Sequence, residues 1–216
     1  MRVVTKLAMA ATLALSAAMP ATASQILWQS RAGSGGGFNN AEAFRTAVNA
    51  SMATAATPGY GDATIGLFQG ITNGTLFGSN SNIVHRTTIN FAVATPSVWD
   101  FRFSYDFGGG GAIFIDGAAS MFRSYDSWAG GDIGGPDAFA AFNQNLGAGV
   151  HQLVVYGYEG CCDGPVSGQY RADGGNWTTF GANDGLTPEE VPEPAALAFL
   201  GLGVAGLALR RRRRQG

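Results

Sequence analysis

The stretch from Trp99 to Phe107 constrains the fold more than any other. It reads Trp-Asp-Phe-Arg-Phe-Ser-Tyr-Asp-Phe, with every odd position aromatic and every even position polar. Successive side chains of a strand point to opposite faces, so this alternation puts all the rings on one side. Such a strand belongs in an antiparallel sheet with one buried and one solvated face.

The rest of the chain supplies partners for that strand. Gln25–Ser30 reads as a first strand, ended by the glycines from Gly33 to Gly37. Asn39 or Asn40 caps a helix from Ala41 to about Ala56, where Phe44, Val48 and Met52 form one apolar stripe suited to core packing. Further strands are expected at Ile65–Phe68, Ile83–Val93, Ala112–Ile115 and Val150–Tyr156. Asn73-Gly74 and Gly78-Ser79-Asn80 signal turns, Asp116-Gly117 a tight hairpin, and Asp173-Gly174-Gly175 the turn of a last hairpin ending at Phe180. Many short strands with glycine-rich turns and one helix define a mainly β protein, an antiparallel β-sandwich of jelly-roll type with a helix on its N-terminal side.

Both ends of the chain fall outside that domain. Arg2 and Lys6 precede an apolar run from Leu7 to Met19, followed by Ala21-Thr22-Ala23, which reads as a signal peptide over residues 1–23 with cleavage before Ser24. This predicts export by the Sec machinery. At the other end, residues 191–216 carry Val191-Pro192-Glu193-Pro194, an uncharged run of fifteen residues from Ala195 to Leu209, then Arg210, Arg211, Arg212, Arg213 and Arg214. A fifteen-residue helix reaches roughly 22 Å at ~1.5 Å per residue. That is short of a bilayer core of about 30 Å, but snorkelling arginine stems extend it. The expectation is a single transmembrane helix in the inner membrane with the basic tail in the cytoplasm.

The domain between, residues 24–190, holds six arginines, no lysine and fourteen carboxylates, a net charge of −8. Nucleic-acid binding needs clustered cations and is excluded as an expectation. Neutral glycans or a cation such as calcium suit this charge better.

Pro192-Glu193-Pro194, the short apolar span and the terminal arginines, in that order, resemble the PEP-CTERM sorting signal of Gram-negative bacteria. The resemblance implies recognition by an exosortase, removal of the tail near the motif, and delivery to the surface of cells that make exopolysaccharide. Cys161-Cys162-Asp163-Gly164, with Tyr105-Asp106-Phe107-Gly108 and Gly157-Tyr158-Glu159-Gly160, is similar to a small family of PEP-CTERM proteins named for a Cys-Cys-X-Gly motif, which implies no activity. The segment from Gly111 to Gly117, taken with Gly149–Tyr156, looks like the protective-antigen type of β-sandwich, which often binds sugars.

The candidate chemistry lies in the loops. Cys161 and Cys162 are the only cysteines, and export takes them to an oxidising compartment. A bond between them needs a turn, which Gly160, Asp163, Gly164 and Pro165 can supply, and it closes too small a loop to stabilise the whole fold. It can be structural or can line a ligand site; intermolecular pairing, a redox switch and metal binding are the alternatives. Asp106, Asp116, Asp126, Asp132 and Asp163 lie in or beside glycine-rich loops and are candidate calcium ligands, although turn residues of this kind are commonly just solvated. Tyr125, Trp128, Tyr158 and Trp177 are the candidate glycan-stacking aromatics, and Trp99 belongs to the core. No catalytic residues are expected. Gly108–Gly111 lacks the following Gly-Lys-Ser/Thr of a phosphate loop, and neither Gly-x-Ser-x-Gly nor His-Glu-x-x-His occurs. The expected protein is non-enzymatic, surface-sorted and associated with exopolysaccharide. A carbohydrate-binding module is the alternative, and a secreted hydrolase, needing two facing carboxylates, a further one.

Overall fold

A computed structural model describes residues 24–125, 127–128 and 130–186. The expected signal peptide, the Pro192-Glu193-Pro194 motif with its apolar span and arginines, and Asp126 lie outside the described residues. The elements in chain order are β1 (Gln25–Ala32), α1 (Ala41–Met52), β2 (Asp62–Ile65), α2 (Asn73–Phe77), β3 (Ser81–Val93), β4 (Ser97–Phe103), β5 (Asp106–Phe107) and β6 (Gly111–Ile115). They continue with β7 (Ala118–Arg123), β8 (Ser127–Trp128), β9 (Phe139–Leu146), β10 (Gly149–Cys161), β11 (Gly168–Ala172) and β12 (Thr178–Thr179).

Two antiparallel sheets face each other. One has the order β2-β1-β3-β10-β6-β7, the other β12-β11-β4-β9, and β5 pairs with β8 as a small ribbon. The alternating stretch behaves as its pattern requires: Trp99, Phe101, Phe103, Tyr105 and Phe107 are all buried in the core between the sheets. It is not one strand, however. The chain leaves β4 at Ser104, whose N–H donates to Ser167 O at 3.0 Å, and re-forms as β5. Deep in this core His85 Nε2 lies 2.7 Å from Thr87 Oγ1, which also accepts from Tyr105 Oη at 2.7 Å. Burial lowers the His85 pKa to about 3 and keeps the ring neutral.

A second apolar layer covers the outer face of the six-stranded sheet. Phe44, Val48 and Met52 of α1 pack on Val84, Ala112, Phe114, Val154, Tyr156 and Tyr158. Each such buried side chain contributes about 1.5–3 kcal/mol relative to exposure. Strands β6 and β10 are therefore covered on both faces, which is why they read as apolar runs rather than alternations.

Asn40 caps α1, its side chain accepting from Ala43 N at 2.9 Å. The helix ends at Met52, four residues before the expected Ala56. There Arg31 takes the carbonyls of Met52 and Thr54 and pairs with Asp62 at 2.7 Å, holding that carboxyl below its usual range. The strand expected over Ile65–Phe68 lies earlier, as β2, and ends at Ile65, and further elements differ from expectation. Asn73-Gly74 opens the short helix α2, capped by Thr72, instead of a turn. Strand β9 was hidden because a bulge around Asn143, at φ 57°, breaks its alternation. Strand β7 is mostly exposed or half-exposed and shows no apolar face.

Candidate functional site

A cavity of about 270 Å³ opens where β5, β8 and the end of β10 meet, lined by Asp106, Gly108, Trp128, Glu159, Cys161 and Cys162. Three separate parts of the chain build it. The glycine run after β5 lays the loop tightly against β10: Gly109 N donates to Tyr158 O at 2.9 Å, and Tyr158 N donates to Gly110 O at 3.2 Å. A Cβ on Gly109 would meet Gly35 O at 2.4 Å, so only glycine permits this approach. The resulting position lets Gly108 N donate to Glu159 Oε2 at 2.7 Å. That carboxylate is 3% exposed. Opposite, β8 pairs Trp128 with Asp106 and leaves the indole 60% exposed.

Cys161 and Cys162 form a disulfide across a cis peptide bond, with their Cα atoms 3.1 Å apart, and both residues are exposed at the cavity wall. Of the pairings that the sequence left open, the structure shows the bridge between the two neighbours, and it forms part of the cavity wall. Asp163 turns away from the cavity to α2, where its Oδ2 accepts from Asn73 N and, at 3.3 Å, from Gly74 N. Burial, opposed by these two hydrogen bonds, raises the Asp163 pKa to about 6, with the Glu159 charge adding to the rise.

The expected site residues are brought together only in part. Of the four aromatics, Trp128 alone lines the cavity. Tyr158 is a correction: it is buried at 5% exposure under α1, packed on Phe38 and Phe44, because β10 runs on through it to Cys161. Tyr125 is exposed, with the Arg123 guanidinium 5.7 Å from its ring centroid. Trp177 lies on the outer face of the four-stranded sheet, against Arg102 and Arg171. The aspartates disperse likewise. Asp116 Oδ2 is 2.7 Å from His151 Nδ1 and its Oδ1 accepts from Gln152 N, while Asp132 closes its own turn on Gly134 N. Among the described residues no three His, Cys, Asp or Glu side chains form a metal-binding group. Glu159, offered by the sequence only as a possible carboxylate partner of Asp116, lines the cavity with Asp106, while Asp116 is held by His151 and Gln152.

The cavity can accept hydrogen bonds from hydroxyls at Asp106 and Glu159, and it can stack an apolar ring face on Trp128. No helix among the described residues is long and apolar enough to cross a membrane.

The fold is of the PA14 type. The PA14 sugar-binding domain of an RTX adhesin aligns with 77% of this chain and 99% of its own length, at a TM-score of 0.50 and 12% identity. An anti-sigma factor domain-containing protein from Clostridium clariflavum aligns with 83% of this chain and 53% of its own, at 0.49 and 13%. The A domain of epithelial adhesin 9 from Candida glabrata, solved with Galβ1-4GlcNAc, aligns with 82% and 95%, at 0.47 and 7%. No curated protein sequence is significantly similar to the chain. Residues 190–213 match the PEP-CTERM protein-sorting motif. The motif implies an exosortase-sorted extracellular protein.

Proposed function

We propose that the domain is a carbohydrate-binding module, sorted by exosortase, that holds polysaccharide at the cell surface without chemical turnover. The observation that carries this reading is the cavity at the double cysteine, which an exposed indole, two carboxylates and the disulfide line together. Sugar rings offer C–H faces to an indole and hydroxyl donors to carboxylates, and both demands are met within one cavity. The sorting motif supports an extracellular setting in which such a ligand is abundant. The sugar-binding PA14 domain of the RTX adhesin, which shares the fold, agrees with it. Export through Sec, retention by the C-terminal span before processing, and exopolysaccharide as the natural ligand belong to this proposal.

The test is binding of the full chain to a panel of neutral bacterial polysaccharides, in calcium and in chelator. Trp128→Ala should lose the binding that the native protein shows. Binding unaffected by that change would overturn the assignment of the site. Calcium dependence would revive the loop aspartates as ligands. Release of reducing ends would show hydrolysis and overturn the reading of binding without turnover.

A further inference from the structure

We propose that the outer face of the four-stranded sheet is a second binding surface, for the carboxylate of an acidic sugar, centred on Arg102 and Trp177. It rests on the preceding reading in one respect, that the ligand is carbohydrate.

Arginine is scarce in this acidic domain, and nearly every one is engaged. Arg31 pairs with Asp62, Arg45 with Glu42 and Arg171 with Asp100. Arg86 is held between the amide oxygens of Gln29 and Asn49, and Arg123 donates to Asp137 O. Arg102 differs. Its Nε and Nη2 both donate to one neutral oxygen, Gln169 Oε1, at 2.9 and 2.7 Å. Among the described residues it forms no ion pair, and no acceptor takes its Nη1. Its guanidinium carbon lies 4.0 Å from the Trp177 ring centroid.

A second cation crowds the same ring: the Arg171 guanidinium carbon is 4.6 Å from its centroid. Burial and, next to it, the Arg171 charge lower the pKa of Arg102. Asp132 opposes that shift through space, but its carboxylate turns back to Gly134 N at 2.9 Å. Arg171 is matched by Asp100, but Arg102, crowded onto the same indole, has no ion-pair partner among the described residues, and a bound anion relieves the repulsion between the two guanidinium groups.

The geometry specifies the anion. Gln169 occupies the Nε side of the fork; the Nη1–Nη2 edge, beside the Gly134 turn, has no side-chain acceptor on Nη1 among the described residues, and it matches the two oxygens of a carboxylate. Gln169 and the stacked indole fix the plane of the fork before any ligand arrives. Phe142, 50% exposed, meets Trp177 at 6.5 Å between centroids and supplies apolar area for a sugar ring beside the charge. A uronate unit of a polysaccharide combines these two features. The cavity at Trp128 lacks a cation in its lining and presents Asp106 and Glu159, so it disfavours the same ligand.

The experiment measures full-chain protein binding to polygalacturonate, with dextran as the uncharged comparison, at low and high salt. Arg102→Gln should weaken polygalacturonate binding at least about tenfold, the scale of a lost charge-assisted hydrogen-bond pair. Arg102→Lys, which keeps the charge without the fork, should recover only part of it. Salt should weaken the native interaction, and dextran binding should be the same for all three proteins. A native protein that ignores polygalacturonate overturns the proposal. So does an Arg102→Gln protein of unchanged melting temperature that still binds it fully. If Arg102→Gln does not fold, Arg102→Lys decides: full retention of binding overturns the fork-specific site. Loss of neutral-glycan binding in Trp128→Ala, with no effect of either Arg102 change on polygalacturonate binding, leaves the first reading standing and sinks this one.

Discussion

Two tryptophans stand on this domain in opposite electrostatic company. Trp128 sits on a two-residue ribbon beside Asp106, Glu159 and the disulfide. Trp177 sits on the broad sheet between Arg102 and Arg171. An indole accepts almost any apolar ring face, so it selects little by itself. The charges around it decide which ring approaches: acceptor carboxylates favour a hydroxyl-rich neutral sugar, and guanidinium forks favour an acidic one. A net charge of −8 over residues 24–190 hides that division, because it averages an acidic pocket with a basic patch.

The largest expected effect removes the support common to both surfaces. Phe103→Ala empties a fully buried position one residue from Arg102 and should cost about 3–5 kcal/mol. Denaturant unfolding reads this, and both binding activities should fall together. Trp128→Ala comes next: neutral-glycan affinity should drop about tenfold or more, while stability stays within about 0.5 kcal/mol because the indole is exposed. Titration calorimetry and a thermal melt separate the two. Glu159→Gln keeps an oxygen for Gly108 N but removes the charge. Neutral glycans should then bind a few-fold more weakly, and the pocket, left with Asp106 alone, should repel polygalacturonate less.

The smallest effect is in pH. The Asp163 pKa is raised to about 6, so its neutral form is the one that the fold prefers. Its contribution to stability is fully present below the unfolded value near 3.8 and is lost as pH rises through about 6. Both backbone donors use Oδ2, which leaves Oδ1 to take the proton. His85 works the other way: its stabilising contribution is present above 6.5 and is lost as pH falls toward about 3. The difference in melting temperature between native protein and Asp163→Asn isolates the first group. It should shift in favour of the native protein as pH falls from 7 to 4, and a flat difference would remove Asp163 as a titrating group.

The sequence made the sandwich legible where one face of a strand is wet. Trp99 to Phe107 announces itself because Asp100, Arg102, Ser104 and Asp106 alternate with the rings. The Asp116-Gly117 turn was legible for a different reason: both residues adopt positive φ, at 49° and 80°, and few other pairs would. Tyr158 was misread because its glycine neighbours look like a loop, whereas Gly157 is glycine to admit the Phe107 ring, which a Cβ would meet at 2.4 Å. The cavity was legible only in pieces. Asp106, Trp128 and Glu159 lie far apart in the chain, and they meet through the β5–β8 pairing and the backbone bonds between the glycine loop and β10. Nothing in the spacing of Arg102, Arg171 and Trp177 signals that they share a face, since that depends on Gln169 pairing with Arg102 across β4 and β11.

Strand β10 gives the pocket a mechanical property. Glu159 and Cys161 stand at the end of a strand that pairs with β3 at twelve positions, from Gly149 to Cys161. A polymer held there and dragged by flow along the strand axis loads that ladder in shear, so the bonds share the tension and must yield together. The same pull on the two-residue β5–β8 ribbon, which carries Trp128, meets only two paired positions. Under tension the indole side of the pocket should open first and the Glu159 wall should hold, so release of the ligand would begin at its stacked face.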